Sequence, residues 1–188
     1  MKIGVLGYQG SVEEHMNTLR KLGIETLRIK DSTTLFSVNG IILPGGESTN
    51  HIKLLKQDNI FDNLKEMILK GLPVLATCAG IVLIAKNIIN YSNQDSMRIL
   101  DLSIIRNGYG SQIYSFTEEV AIKDFGGLYK AVFIRAPVVN KLGSDVKVLA
   151  NDSKGNPVFF KQDKILGLTF HPELTDDLRI HEFFVNSI

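Results

Sequence analysis

Cysteine is nearly absent from this chain: Cys78 is the only one in 188 residues. A lone thiol cannot build an internal disulfide framework, and it suits a reducing cytoplasm. Paired cysteines and a His-Glu-x-x-His run are both missing, so neither a metal nor a cofactor is expected. An excess of one charge is missing too. The 21 basic side chains against 20 acidic ones leave a net charge of +1. No long basic stripe appears, so no nucleic-acid partner is expected. Long apolar runs are also lacking. The longest nearly uncharged stretch, Gly71 to Ala85, falls short of the ~20 residues that span a bilayer, and Pro73 and Gly80 interrupt it. It reads as a buried strand followed by a buried helix, with no membrane role. The apolar start, Met1 to Gly7, is too short for a signal-peptide core and reads as a strand. Repeats, linkers and low-complexity segments are absent. With 44% apolar and 22% charged residues, one well-cored domain over residues 1–188 is expected.

What is present alternates. Lys2–Gly7, Ile24–Ile29, Gly40–Leu43 and Pro73–Thr77 read as strands. Ser11-Val12-Glu13-Glu14 looks like a capping box opening a helix whose Val12, Met16 and Leu19 share one face. Ile60–Leu69 reads as a helix with Ile60, Leu64 and Ile68 inward and Gly71 as its stop. This alternation predicts a parallel sheet covered on both faces. After Ile99 the texture changes to strands: Ser103–Arg106, Gln112–Ile122, Ala131–Arg135, Val146–Ala150, Pro157–Lys161 and Ile165–Phe170. Residues 151–156 and 162–164 read as hairpin turns, and Asp176–Val185 as a closing helix. This half is expected to add antiparallel strands to the sheet.

Cys78 lies where the strand Pro73–Thr77 meets the helix beginning near Ala79-Gly80. Small flanking residues permit a sharp nucleophile elbow, and a helix N-terminus favours the reactive thiolate. The bland alternative is a buried structural cysteine. A nucleophile needs a base, and the base needs an orienting partner. His15, His51 and His181 fall in predicted helices or at their starts, where a packed or solvated histidine is the ordinary reading. His171 instead follows an apolar strand and precedes Pro172-Glu173. Pro172 biases His171 toward extended geometry, in which residues i and i+2 share a side, so Glu173 reaches back to the imidazole. The alternative is a surface histidine at a strand end. Pro44-Gly45-Gly46-Glu47-Ser48 ends another strand. Its backbone N–H groups, with that of Ala79, suit an oxyanion hole; a phosphate cradle or a plain turn are the alternatives.

Together these segments resemble the class I (triad) glutamine amidotransferases, within the branch of glutaminase subunits that serve pyridoxal 5′-phosphate synthase. The resemblance runs through Ile3-Gly4-Val5-Leu6, Gln9-Gly10, Leu43-Pro44-Gly45-Gly46-Glu47-Ser48-Thr49 and Thr77-Cys78-Ala79-Gly80. It continues through Arg106-Asn107-Gly108-Tyr109-Gly110, Ser115-Phe116, Phe133-Ile134-Arg135-Ala136-Pro137 and Phe170-His171-Pro172-Glu173-Leu174. The cysteine and His-Pro-Glu pieces are common to triad glutaminases; the Pro-Gly-Gly-Glu-Ser-Thr and Phe-Ile-Arg-Ala-Pro runs are specific to the branch.

The resemblance implies an α/β, flavodoxin-like mixed sheet, mostly parallel and flanked by helices. It implies L-glutamine hydrolysis to glutamate and ammonia through a glutamyl thioester. Cys78 would be the nucleophile, His171 the acid/base and Glu173 its orienter. Gly46, Glu47, Ser48, Arg106, Ile134 and Arg135 would bind glutamine. Gly46 and Ala79 would form the oxyanion hole, and Gln9 would lie near it and the partner interface. For the arginines, a surface ion pair is the reading that residues alone favour. One glutaminase domain uses all 188 residues. A separate synthase subunit, PdxS by resemblance, is therefore expected to receive the ammonia and to switch the glutaminase on by docking. Three positions depart from the branch pattern: Ala76 for glycine, Gly108 for alanine and Ser111 for arginine. The alternatives are a glutaminase of another ammonia-channelling synthase, such as imidazole glycerol phosphate synthase, a catalytically silent regulatory subunit, or a serine-hydrolase-like esterase.

Overall fold

A computed structural model describes residues 1–109 and 115–188. In the first half, β1 (Lys2–Leu6), α1 (Val12–Lys21), β2 (Glu25–Ile29), the single-turn α2 (Ser32–Leu35) and β3 (Gly40–Leu43) follow in turn. Then come α3 (Ser48–Gln57), α4 (Phe61–Leu69), β4 (Val74–Thr77) and α5 (Ala79–Ile84). The second half holds β5 (Ala85–Ile88), β6 (Leu100–Ile105), β7 (Phe116–Ala121), β8 (Leu128–Phe133), β9 (Val138–Leu142) and β10 (Lys147–Asn151). It closes with β11 (Pro157–Gln162), β12 (Ile165–Leu168), a 3₁₀ turn over Pro172–Leu174 and α6 (Arg179–Asn186).

The main sheet runs β10-β11-β12-β4-β3-β1-β2. Strands β2, β1, β3, β4 and β12 are parallel, and β11 and β10 extend the sheet antiparallel. The mixed, mostly parallel sheet matches the expected class. Its strand order reverses at β1 and β3, where open α/β sheets form a crevice outside the carboxyl ends.

Period-two alternation divides the core into two faces. In β4, Val74 and Ala76 join Leu43, Ile81 and Leu55 on one side, while Leu75 joins Ile3, Ile42 and Phe159 on the other. All four residues of β3, β4 and β12 are buried, as near-continuous apolar runs in a parallel sheet require. The Gly71 to Ala85 stretch is β4 followed by α5, buried at both. Among the described residues no helix is long and apolar enough to cross a membrane.

Not every later strand joins the main sheet. β5, β6 and β9 form one small sheet, and β7 and β8 a hairpin. They cover the faces: Leu102, Ile104 and Val139 pack into one core cluster, and Val120, Tyr129 and Phe133 into the other. Buried apolar area is gained as well by a sheet cover as by a helix.

Several boundaries differ from expectation. The strand expected over Ser103–Arg106 is Leu100–Ile105, and Arg106 begins a turn. The strand expected over Ala131–Arg135 is Leu128–Phe133, because Arg135 turns the chain with φ 49°. Of the strand expected over Gln112–Ile122, Phe116–Ala121 is observed; Gln112 lies outside the described residues. β9 lacks a clear alternation in the sequence, since Asn140 and Lys141 are both exposed. Ser11 occupies the N-cap of α1 but its hydroxyl makes no capping hydrogen bond. The closing helix starts at Arg179, not Asp176, because Asp177 Oδ1 accepts from the Arg179 N–H and holds the preceding turn.

Candidate active site

β4 delivers Cys78 at an abrupt corner with φ 47° and ψ −107°. A non-glycine residue there is strained and must be held by its surroundings. Its N–H donates to the Leu168 carbonyl on β12 at 2.8 Å, and its carbonyl accepts from Ile81 N–H at 3.2 Å. Gly80 makes the corner possible. A Cβ on Gly80 would stand 2.0 Å from the Leu43 carbonyl oxygen, so only glycine lets α5 lie this close to β3. Ala76 keeps an ordinary strand conformation, so its Cβ leaves the corner undisturbed.

His171 leaves the end of β12 with its N–H bonded to the Val132 carbonyl at 2.9 Å. Its Nδ1 lies 2.7 Å from Glu173 Oε1, and both side chains are buried. The expected contact is present, but by a different route: Pro172–Leu174 forms a 3₁₀ turn that folds Glu173 back. The proline restricts both its own φ and the residue before it, which favours this tight turn.

Gly45 locates the sulfur and the imidazole relative to each other. A Cβ added there would lie 2.5 Å from His171 Cε1 and 3.5 Å from Cys78 Cβ. The thiol donates to the Ile134 carbonyl at 3.7 Å. Among the described residues, His171 Nε2 is buried without a hydrogen-bond partner. Burial by itself would lower the His171 imidazole; its interactions with Cys78 and Glu173 outweigh that and raise it to about 10. Burial would raise Glu173, but the imidazoles of His15 and His171 hold it down at about 2. The pair is therefore ionised around neutrality.

The loop after β3 closes another wall. Gly46 has φ 141°, a conformation that favours glycine. Gly10, with φ 80°, packs so closely that a Cβ there would stand 1.8 Å from the Gly45 carbonyl oxygen. Glu47 caps α3 by accepting from Thr49 N–H at 3.2 Å and Asn50 N–H at 2.7 Å. Its backbone carbonyl accepts from Gln9 Nε2 at 2.6 Å. Arg106 Nη2 pairs with Glu47 Oε1 at 2.9 Å, Nη1 donates to Thr49 Oγ1 at 3.1 Å, and the guanidinium lies 4.3 Å from the Tyr91 ring centre. Burial would raise Glu47, but the bonds from Asn50 and Thr49 and the Arg106 charge hold it below the usual range.

A cavity of about 260 Å³ opens at this point. Cys78, Ala79 and His171 form one wall, the Gly46-Glu47-Ser48 loop and Arg106 another, and Ile134-Arg135 a third. Gln9 stands back from the cavity, behind the loop it bonds. Arg106 forms an ion pair and also lines the cavity. Arg135 is exposed at the cavity edge. Gly108 has a local reason: a Cβ there would meet Val138 Cβ at 2.7 Å. Ser111 lies outside the described residues.

Two buried histidines stand against the site. His51 lies beneath the loop, its Nε2 2.9 Å from where a Gly46 Cβ would be. His15 Nε2 lies 3.3 Å from Glu173 Oε2. Both read from the sequence as ordinary helical histidines. For His15 a signal was present, since it falls within the apolar Val12-Met16-Leu19 face of α1.

The comparisons point the same way. A pyridoxal 5′-phosphate synthase subunit PdxT of Kosmotoga olearia is 51% identical, covering 100% of this chain and 98% of that one. The PdxT of Thermotoga maritima is 50% identical with both chains fully covered. A crystal structure of a glutamine amidotransferase superposes with a TM-score of 0.92 at 39% identity, over 98% of this chain and 97% of that one. The SNO glutamine amidotransferase family model matches residues 5–188, and the chain belongs to that family.

Proposed function

We propose that this protein hydrolyses L-glutamine and passes the ammonia to a pyridoxal 5′-phosphate synthase partner, PdxS. One observation carries the reading: a thiol, an imidazole and a carboxylate converge at the carboxyl ends of adjacent parallel strands, beside a glycine loop and a cavity. The full-length similarity to PdxT proteins supports this branch over other ammonia-channelling glutaminases. A silent subunit would have no need to keep three ionisable groups in register.

The Cys78 sulfur attacks the side-chain carboxamide carbon of glutamine as the thiolate, with the His171 imidazolium beside it. The carbonyl oxygen gains negative charge, which the Gly46 and Ala79 N–H groups receive; one such donor typically supplies ~3 kcal/mol. His171 protonates the departing nitrogen, so ammonia leaves and a glutamyl thioester remains. Water, deprotonated by His171, adds to the thioester, and glutamate leaves as the sulfur is restored. Glu173 fixes the imidazole through Nδ1 so that Nε2 faces the reaction. Arg106, Arg135 and the backbone around Glu47, Ser48 and Ile134 hold the amino acid. A cytoplasmic setting keeps the nucleophile reduced.

The test is ammonia release from glutamine with and without PdxS. Wild type is expected to turn over with PdxS present, and Cys78→Ala to lose at least a thousandfold while keeping its fold by circular dichroism. Retained turnover in Cys78→Ala ends the proposal.

A further inference from the structure

Glu173 has two oxygens, and the mechanism uses one. Oε1 serves His171 at 2.7 Å. Oε2 points the other way into the core, where it makes no hydrogen bond of good geometry among the described residues. What faces it is His15 Nε2 at 3.3 Å, with both side chains fully buried. A buried carboxylate oxygen with no positive or donating neighbour would be costly.

The surroundings of His15 decide its tautomer. Its Nδ1 lies 2.9 Å from His181 Nε2 on α6, and its Nε2 lies 3.3 Å from Thr77 Oγ1 at the end of β4. Burial lowers both imidazoles below the ordinary histidine range, against the attraction of the Glu173 carboxylate. A neutral His15 carries one proton. Were it on Nδ1, the Nε2 lone pair would face the carboxylate at 3.3 Å and repel it. The tautomer that avoids this has the proton on Nε2, bonded to Thr77 Oγ1 with its partial positive charge beside Glu173 Oε2, and Nδ1 accepting from His181 Nε2–H. Four elements converge on this one ring: α1, β4, the 3₁₀ turn and α6.

We propose that His15 is a positioning residue for glutamine hydrolysis, holding the Oε2 side of Glu173 so that Oε1 stays aligned on His171. It rests on the glutaminase reading above. His15 does not line the cavity, so it acts on the reaction only through Glu173. His181 and Thr77 hold His15 in turn.

The test compares two near-isosteric variants in the full chain assayed with PdxS. His15→Gln places an amide nitrogen where Nε2 stands, and His15→Asn places one only at the Nδ1 side. His15→Asn is expected to lower kcat about tenfold or more with KM unchanged within twofold, and His15→Gln to keep most of it. In a Glu173→Gln background the same Asn substitution should cost less than twofold, since the group it acts through is already altered. Equal activity in the Asn and Gln variants, or an equal loss in both backgrounds, overturns the inference and leaves His15 as core packing. Failure of wild type to release ammonia with PdxS would instead remove the glutaminase reading itself.

Discussion

At Gly45 a single methyl group decides whether His171 keeps its place. The added Cβ would fall 2.5 Å from the imidazole Cε1 and 3.1 Å from Nδ1. The ring cannot yield without breaking its 2.7 Å contact with Glu173. Gly45→Ala is therefore expected to cut glutamine turnover about a hundredfold with PdxS present, because displacements near 1 Å carry that cost. The melting temperature should move by only a few degrees. Unchanged turnover would mean that the loop, not the ring, moves aside. At this scale Cys78 was legible because its cue is local: an apolar strand, a thiol and small residues in immediate succession. Glu173 was legible through His-Pro-Glu, although the backbone reaches the contact by a turn rather than an extended step. His15 was not, because its meaning depends on a carboxylate brought against it from the far end of the chain.

Among the elements, the 151–156 hairpin shows how one buried carboxylate organises a turn. Asp152 Oδ1 accepts from Lys154 N–H at 3.0 Å and Asn156 N–H at 2.7 Å. Its Oδ2 accepts from Asn156 Nδ2 and from the Tyr109 hydroxyl, both at 2.8 Å. Burial would raise the carboxyl; these bonds hold it below the usual range. Tyr109 belongs to the segment that begins with Arg106, so the turn also steadies one wall of the cavity. Asp152→Ala is expected to cost about 2–3 kcal/mol by urea titration, since several charge-assisted bonds are lost and donors are left unpaired. A melting temperature unchanged within a degree would show that water replaces those bonds without penalty. The hairpin was readable from its Asn-Asp-Ser-Lys-Gly-Asn composition. The separation of β5-β6-β9 and β7-β8 from the main sheet was not, because strand patterns name a buried face and not the sheet that carries it.

For the molecule as a whole, buried histidines set the acid limit. His51 is lowered to about 4 and His181 to about 3, in both cases chiefly by burial. A histidine whose folded pKa is depressed binds its proton more readily in the unfolded chain. Its contribution is neutral above the unfolded value near 6.5, and stability falls as pH drops from there toward the folded value. For His51 that loss is roughly 3 kcal/mol over the full window. His171 has the opposite sign: raised to about 10, it stabilises below 6.5 and ceases to do so as pH rises through 10. Glu173, at about 2, loses its contribution only as pH falls toward 2, beneath this window. Unfolding free energy is thus expected to drop by on the order of 3–4 kcal/mol between pH 7 and 5, and His51→Gln to flatten part of that slope. A flat profile across that range would contradict the burial of these rings.

The alternation of β1, α1, β2, β3, α4 and β4, the elbow at Cys78 and the pairing of His171 with Glu173 are short-range facts, written in residue types within a few positions of one another. Periodicity and turn chemistry act locally, so the chain itself determined them. The placing of Arg106 on Glu47, of Gly10 against Gly45 and of His15 behind Glu173 was decided only by the tertiary structure. Each joins segments far apart in sequence, and their contact follows from which faces of the sheet bury most apolar surface, a property no local pattern encodes.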